Sequence, residues 1–71
     1  MNRVPVSSSN LFSIGYDTAS KVLEIEFRNG SIFQYFDVPP NIYSGLMSAT
    51  SHGRYFDAYI KKGNFTFKQI K

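Results

Sequence analysis

The sequence has no cysteine and only one histidine among its 71 residues, and both shortages restrict the sites that it can build. Without cysteine the chain forms neither a disulfide nor a thiolate metal site. One histidine cannot supply the group of imidazoles that a zinc centre uses, and the carboxylates lack the spacing of a calcium loop. We therefore expect no metal and no cofactor.

Long apolar runs are also lacking. No stretch approaches the roughly 18 consecutive apolar residues that a membrane-spanning helix requires, and the first residues lack the apolar centre of a secretory signal. The absence of cysteine agrees with a reducing compartment. We therefore expect a cytoplasmic protein with no membrane partner.

Catalytic motifs are missing as well, including the phosphate-binding glycine-rich loop and the dinucleotide fingerprint. Glu24 and Glu26 lie about 7 Å apart along one strand, a separation that an acid–base pair can have. Solvated residues on an outer strand face explain these two glutamates more simply. Ser51, His52 and Asp57 are close in sequence, but nothing places them on one helix face and no oxyanion hole accompanies them. We predict no catalytic residues and no enzyme activity.

Aromatic residues are what the sequence has in abundance, with seven Phe and five Tyr. A chain of this length forms one domain, residues 1–71, and buries only about 60% of its unfolded surface. Each aromatic side chain buries roughly 150–250 Å² and so enlarges a small core. Association is the other usual remedy for a short chain, so we expect a homodimer or a higher oligomer.

The stretch 23–36 alternates apolar and polar residues on both sides of Asn29-Gly30, which predicts a β-hairpin. Both residues tolerate a positive φ, so a two-residue type I′ turn is available. That turn pairs Phe27 with Ile32. The apolar residues of the first strand then face the core, because a slip of one residue would bury the glutamates.

The predicted register places Phe33 and Tyr35 on the glutamate face of the hairpin. Exposed sheet aromatics can stack nucleic-acid bases, although the neighbouring glutamates would repel phosphate. The alternative, which we favour, is that both rings pack beneath a helix, the C-terminal segment or a second copy of the protein.

Five further segments complete the predicted fold. Residues 1–9 form a polar lead-in or a short edge segment, and residues 11–16 alternate as a first strand, in which glycine at position 15 marks a bulge or a close backbone approach. Apolar residues recur at helical spacing over 40–49 and 52–61. Residues 64–70 alternate again, as a fourth strand at the sheet edge or as a tail over the helices. The sequence therefore predicts an α+β fold, an antiparallel three- to four-stranded meander with two short helices packed on one face.

Three residues mark the helices. Ser51 is the expected N-cap of the second helix, and Gly63 is its expected C′ residue. Gly45 lies inside the first helix, where glycine is unfavourable, so we expect that helix to pass close to the sheet there.

Charge is distributed unevenly along the chain. Residues 1–51 carry three basic and four acidic side chains, whereas residues 52–71 carry five basic side chains and one acidic side chain. A basic C-terminal third suits a polyanionic or phosphate-bearing partner. The alternative is a solvated lysine-rich face that serves solubility, and the sequence leaves both open.

The start of the second helix combines features that suit a phosphate or a base. Gly53 provides flexible backbone near a helix N-terminus, and Arg54 can contact phosphate with two nitrogens or stack on a ring. An ordinary amphipathic helix, with its rings in the core and its arginine at the surface, is the alternative. The candidate ligand-binding residues are His52, Gly53, Arg54, Tyr55, Tyr59, Lys61, Lys62 and Lys68. A hydroxyl and amide rim at Ser8, Ser9 and Asn10 is a further candidate.

Several of these segments together resemble the KTSC domain. The segments are Val6-Ser-Ser-Ser-Asn10, Ile14-Gly-Tyr-Asp17, Leu23 to Gly30, Phe33 to Pro39, Tyr43, and Ser51-His-Gly-Arg-Tyr-Phe56. The central Tyr-x-Tyr of that family falls on Phe33-Gln34-Tyr35, so this chain lacks one of its two hydroxyls. The family occurs at the C-terminus of some lysyl-tRNA synthetases and as small proteins of bacteria and phages. The resemblance implies an RNA-binding domain.

Three functions follow as hypotheses. The first is a small non-catalytic module that binds RNA, with tRNA as the expected ligand, through the basic and aromatic C-terminal third. The second is a homo-oligomer that binds or sequesters a nucleotide or another phosphorylated small molecule and that a phage could encode. The third is a protein–protein interaction unit.

Overall fold

The strands of the computed structural model, which describes residues 1–71, form one antiparallel sheet in chain order. They are β1 (Val4–Pro5), β2 (Leu11–Asp17), β3 (Val22–Phe27), β4 (Ile32–Tyr35) and β5 (Phe67–Gln69). Between β4 and β5 lie α1 (Pro40–Ser48) and α2 (His52–Tyr55), which runs directly into a π-helix (Phe56–Lys61). We call α2 and this π-helix together the second helix. The predicted α+β class is confirmed, and the sheet has five strands because the lead-in and the C-terminal segment each add one.

The β3–β4 hairpin has a three-residue loop, so the predicted two-residue type I′ turn is wrong. The Phe27 N–H donates to the Ser31 carbonyl at 2.8 Å and closes the loop. Gly30 has a φ of +91°, whereas Asn29 keeps a negative φ. This is a type I turn followed by a left-handed glycine. The Asn29 side-chain oxygen accepts from the Ser31 N–H at 3.0 Å and from its hydroxyl at 2.7 Å, which stabilises the longer loop.

The longer loop shifts the pairing of the two strands by one residue. Ile25 lies opposite Phe33, and Leu23 lies opposite Tyr35, so the predicted register is wrong. Leu23 and Ile25 are fully buried, as predicted. Phe33 and Tyr35 share the face of these core residues rather than the glutamate face.

β2 carries a bulge between Leu11 and Ser13. The extra residue lets Leu11 point into the core and leaves Phe12 exposed, so the predicted alternation holds only from Ser13 onwards. Gly15 is a position of close approach, as its place in a strand predicts. A Cβ there would lie 2.9 Å from the Asn2 carbonyl oxygen, because the first residues cross the sheet at this point.

The core fills the space between the helices and one face of the sheet. Tyr16 joins the two layers, since its ring stacks on Tyr43 with centroids 4.5 Å apart and its hydroxyl donates to the Val38 carbonyl at 2.5 Å. The buried apolar residues of the main core are Leu11, Ile14, Leu23, Ile25, Tyr35, Val38, Leu46, Phe56 and Ile60.

The opposite face of the sheet is polar and is covered by the first three residues. Arg3 donates from Nε to the Ser13 hydroxyl at 3.0 Å, and its guanidinium pairs with Glu24 and, at 3.5 Å, with Glu26. The Gln34 amide donates to Glu24 at 2.9 Å. Glu24 is only 5% exposed, so the expectation that both glutamates are solvated is wrong for Glu24.

The second helix begins at the predicted cap. The Ser51 hydroxyl accepts from the Arg54 N–H at 3.3 Å. At the other end Lys62 is the C-cap, so Gly63 is the C′ residue as predicted, but the left-handed residue is Asn64, with a φ of +62°. Space is what requires glycine at position 63, since a Cβ there would lie 2.5 Å from the Tyr59 carbonyl oxygen.

The two helices contact each other closely at Gly45. A Cβ at this position would lie 2.6 Å from Cζ of Tyr55, so the close neighbour is the second helix. The expectation that the sheet lies close to Gly45 is therefore wrong. His52 also joins the helices. Its Nδ1 lies 2.8 Å from the Leu46 carbonyl, and because a carbonyl only accepts, Nδ1 donates. Neither helix has the length and apolar character needed to cross a bilayer.

Candidate functional site

Three adjoining depressions form one cleft between the second helix and the end of the sheet that carries the β3–β4 loop. Neighbouring depressions share lining residues, Phe27 and Lys61 at one junction and Asn10 and Gly53 at the other. We call the three parts the aromatic end, the middle and the Arg54 end. The three parts adjoin one another through these shared residues.

The aromatic end is a groove of about 370 Å³ lined by five rings. The corrected register brings Phe33, Tyr35 and Phe67 to one face, since Tyr35 lies opposite Phe67 in β5. The Phe33 and Phe67 centroids are 6.0 Å apart, and the second helix closes the inner side with Phe56, 5.5 Å from Tyr35. The other lining ring is that of Phe27.

Exposure differs sharply among these rings. Tyr35 is 7% exposed, and this burial raises the pKa of its phenol, so the hydroxyl is neutral at pH 7. Phe67 is 59% exposed, because β5 lies at the sheet edge beyond the helices. The groove therefore has a buried floor and one open ring. The second helix and β5 cover Phe33 and Tyr35. This agrees with the alternative favoured from the sequence, in which both rings pack beneath other parts of the protein.

The middle of the cleft, about 340 Å³, is polar. Arg28 is held at its edge, with Nε donating to the Ser8 carbonyl at 2.6 Å and the guanidinium 5.5 Å from the Phe12 ring centroid. Asn10 lies against Gly53, where a Cβ would be 3.7 Å from the Asn10 amide nitrogen. The remaining lining residues are Ser9, Phe27, Asn29, Phe56, Asp57 and Lys61.

Positive charge exceeds negative charge along the cleft. Arg28 and Lys61 line the middle, and Arg54 lines the far end. Asp57 is the one acid, and its carboxylate faces two cations, Lys61 at 4.0 Å and Lys62 at 3.4 Å. The cleft therefore combines stacking surface with net positive charge, which suits an anion that carries a ring.

The structure brings only part of the predicted site together. From the second helix, Gly53, Arg54 and Lys61 line the cleft, and Ser9 and Asn10 of the predicted rim lie across from them. Ser8 has a local role, because its hydroxyl accepts from the Asn10 and Leu11 N–H groups. That the residues in the cleft contact a ligand remains a prediction.

Other predicted residues lie elsewhere. His52 bonds to the end of α1, and Tyr55 packs on α1 with the Tyr59 ring 4.6 Å away. Lys68 lies opposite Gln34 and so belongs to the polar face of the sheet. Lys62 lies beside the cleft, bound to Asp57.

Sequence reasoning missed several cleft residues. Gly53, Asp57 and Lys61 recur every four residues, so helical spacing alone could have grouped them on one face. Phe67 could have been added from the alternation of the last strand. The loop residues had no such signal, because their position depends on the loop length. The missed residues are Phe27, Arg28, Asn29, Ser31, Ser51, Phe56, Asp57 and Phe67.

Comparison with known proteins identifies the family. Residues 7–65 match the KTSC domain. A KTSC domain protein from Yersinia pestis, known from its crystal structure, is 48% identical, with a TM-score of 0.91 over 99% of this chain and 97% of that one. An uncharacterized protein of Stutzerimonas stutzeri is 39% identical over 70 residues, 99% of both chains. A lysine–tRNA ligase of Nostoc punctiforme is 42% identical over 55 residues, 78% of this chain and 10% of the ligase. The chain belongs to the KTSC domain family, as its resemblance predicted.

Proposed function

We propose that this protein is a non-catalytic module that binds RNA, with tRNA as the expected ligand, and that the cleft is its contact surface. The observation that carries the proposal is that an open aromatic groove adjoins a trough lined by Arg28, Arg54 and Lys61. Proteins that bind unpaired nucleic acid combine rings for the bases with cations for the backbone.

The relatives support the same proposal. Three cyanobacterial lysine–tRNA ligases contain a related segment of 55 residues, about a tenth of each enzyme. Those proteins act on tRNA, as their name states. A small segment without a catalytic cluster of its own suits the binding of the nucleic acid rather than the chemistry.

The basic surface in this proposal differs from the one that the sequence suggests. Arg28, far from the C-terminal third in sequence, joins Arg54 and Lys61 in the cleft. Lys68 lies on the polar face of the sheet and is no longer a proposed contact. Three cations, rather than the whole C-terminal third, therefore form the proposed electrostatic surface.

A salt titration of tRNA binding tests the proposal. Three phosphate contacts predict that log Kobs falls with log salt concentration with a slope of roughly −2 to −3. Lys61→Gln should weaken binding and reduce the magnitude of the slope by about 1. Lys68→Gln removes the same charge outside the cleft and is the control. Absence of binding, or a slope near zero, would refute the proposal.

A second candidate function is capture of a free nucleotide by a homo-oligomer. The size of the aromatic end favours it, since about 370 Å³ falls in the range of small-molecule pockets. A thermal-shift screen across nucleotides tests it, because a specific ligand raises Tm by mass action. A flat screen would exclude this function and leave RNA binding in place.

A further inference from the structure

We propose, on the basis of the RNA-binding function above, that the cleft takes an unpaired RNA strand in a fixed arrangement. One base stacks in the aromatic end against Phe67. The backbone then runs past Lys61 and Arg28 in the middle and continues to Arg54. The occupant is a strand of several unpaired nucleotides and not a duplex or a free nucleotide.

The aromatic end requires an unpaired base. Phe67 offers its ring to solvent while Phe33 and Tyr35, at 6.0 and 5.8 Å from it, support the ring from the side of the sheet. A base reaches the face of such a ring only when its own face is free, and in a duplex both faces are covered by neighbouring pairs. Recognition at this end therefore selects a nucleotide outside a helix.

The length of the cleft requires a strand. The aromatic end alone accommodates one base, yet the middle, of about 340 Å³, adjoins it, and the Arg54 end, of about 400 Å³, adjoins the middle. A mononucleotide in the aromatic end would leave Arg54 without a contact, because the middle lies between them. The successive phosphates of a strand reach both positions.

The cations along the cleft have donors available for phosphate. Arg28 uses Nε for the Ser8 carbonyl, and its two terminal nitrogens make no hydrogen bond within the protein. The Arg54 side chain forms neither a hydrogen bond nor an ion pair. Asp57 does not cancel this charge, because Lys62 shares its carboxylate with Lys61.

Fluorescence anisotropy with a labelled RNA tetranucleotide tests the arrangement. Phe67→Ala should raise the Kd about tenfold, the effect of losing one base–aromatic stack. Tyr59→Ala removes a ring of similar exposure, 55% against 59%, outside the cleft, and should change the Kd by no more than about twofold. The same four nucleotides paired within the stem of an RNA hairpin, and AMP as a competitor, should each bind far more weakly. Circular dichroism checks the folding of each variant, and Phe67→Leu replaces Phe67→Ala if the latter is unfolded.

The outcomes separate this inference from the function on which it rests. If tRNA and the tetranucleotide both fail to bind, the proposed function and this inference fall together. If tRNA binds but Phe67→Ala matches Tyr59→Ala, or the paired stem binds as well as the single strand, only this inference is overturned. If AMP competes as well as the tetranucleotide, a free nucleotide is the occupant and the strand is excluded.

Discussion

At the scale of single residues, Glu24 is a buried carboxylate that holds the first residues against the sheet through its ion pair with Arg3. Burial alone would raise its pKa. Hydrogen bonds from Gln34 and Arg3, together with the Arg3 charge, outweigh burial, so the pKa of Glu24 lies below its ordinary value. The arm over the polar face is therefore held by an ionised side chain.

This lowered pKa predicts a stability that depends on pH. A carboxylate with a lower pKa in the folded state contributes stability that is present above its unfolded pKa, about 4.3, and that is lost as pH falls through the folded pKa. Urea unfolding should therefore show wild type more stable than Glu24→Gln at pH 7, with a difference that shrinks towards pH 3. Asp37→Asn, at an exposed carboxylate that forms no ion pair, is the control. A difference that stays constant with pH would contradict this account.

The effect of Gly45→Ala on stability should change sign when the Tyr55 ring is removed. Alanine favours a helix over glycine by about 1 kcal/mol, but overpacking against the Tyr55 ring costs roughly 1–3 kcal/mol. Gly45→Ala should therefore destabilise wild type by about 1 kcal/mol, the difference between these effects. In a Tyr55→Ala background the same change should stabilise by about 1 kcal/mol, because the ring is gone. A double-mutant cycle by urea unfolding measures both, and the same sign in both backgrounds would argue against the contact.

At the scale of elements, the β3–β4 hairpin shows where sequence reasoning ends. Asn29-Gly30 predicted a tight reversal correctly, but two-residue and three-residue loops both use a glycine with positive φ. The Arg28 N–H donates to the Asn10 carbonyl at 2.9 Å, a contact with the residue before β2 that favours the longer loop. Asn10 lies outside the hairpin, so the sequence of the hairpin does not contain this signal. Phe33 and Tyr35 were assigned to the wrong face of the sheet for this reason.

The loop predicts the effect of removing its glycine. Gly30→Ala should destabilise the protein by about 1–2 kcal/mol, because a side chain resists a left-handed conformation. Gly53→Ala is the matched control, since position 53 is helical and a Cβ there has room, with its nearest neighbour at 3.7 Å. Thermal unfolding of both variants tests this, and equal losses at the two positions would contradict it.

His52 was a candidate ligand-binding residue, but in the structure it links the two helices. Its Nδ1 bonds to the last turn of α1 and couples the two helices. His52→Ala should cost about 1 kcal/mol of stability through the lost hydrogen bond and leave the RNA affinity of the folded protein unchanged. Circular dichroism and anisotropy measure the two effects. If His52→Ala lost RNA affinity while its Tm stayed unchanged, His52 would be a ligand contact after all.

At the scale of the whole molecule, periodicity predicted most of the architecture. The strand and helix segments and their order follow from alternation and from helical spacing, which are local signals. The contact between residues 1–3 and the buried Glu24 has no local signal, since it joins positions far apart in sequence. The cleft likewise unites residues 9–10, 28–29 and 53–61. Such groupings depend on strand pairing, which the sequence specifies only through the complete fold.

The predicted homodimer remains a prediction at this scale. β5 is an edge strand, so its open backbone edge is where a second copy would pair. Light scattering should give twice the monomer mass of 8.1 kDa. A mass that stays at the monomer value over a range of concentrations would exclude the dimer.

The meander order has a consequence for the sequence of events in folding. β1, β2 and β3 each pair with the strand that follows, across short connections that cost little loop-closure entropy. β5 alone joins its neighbour across an intervening helical segment, from Tyr35 to Phe67. We expect this strand to dock last and to detach first. Since it carries Phe67, the groove would be assembled late and could be dismantled while the rest of the protein stays folded.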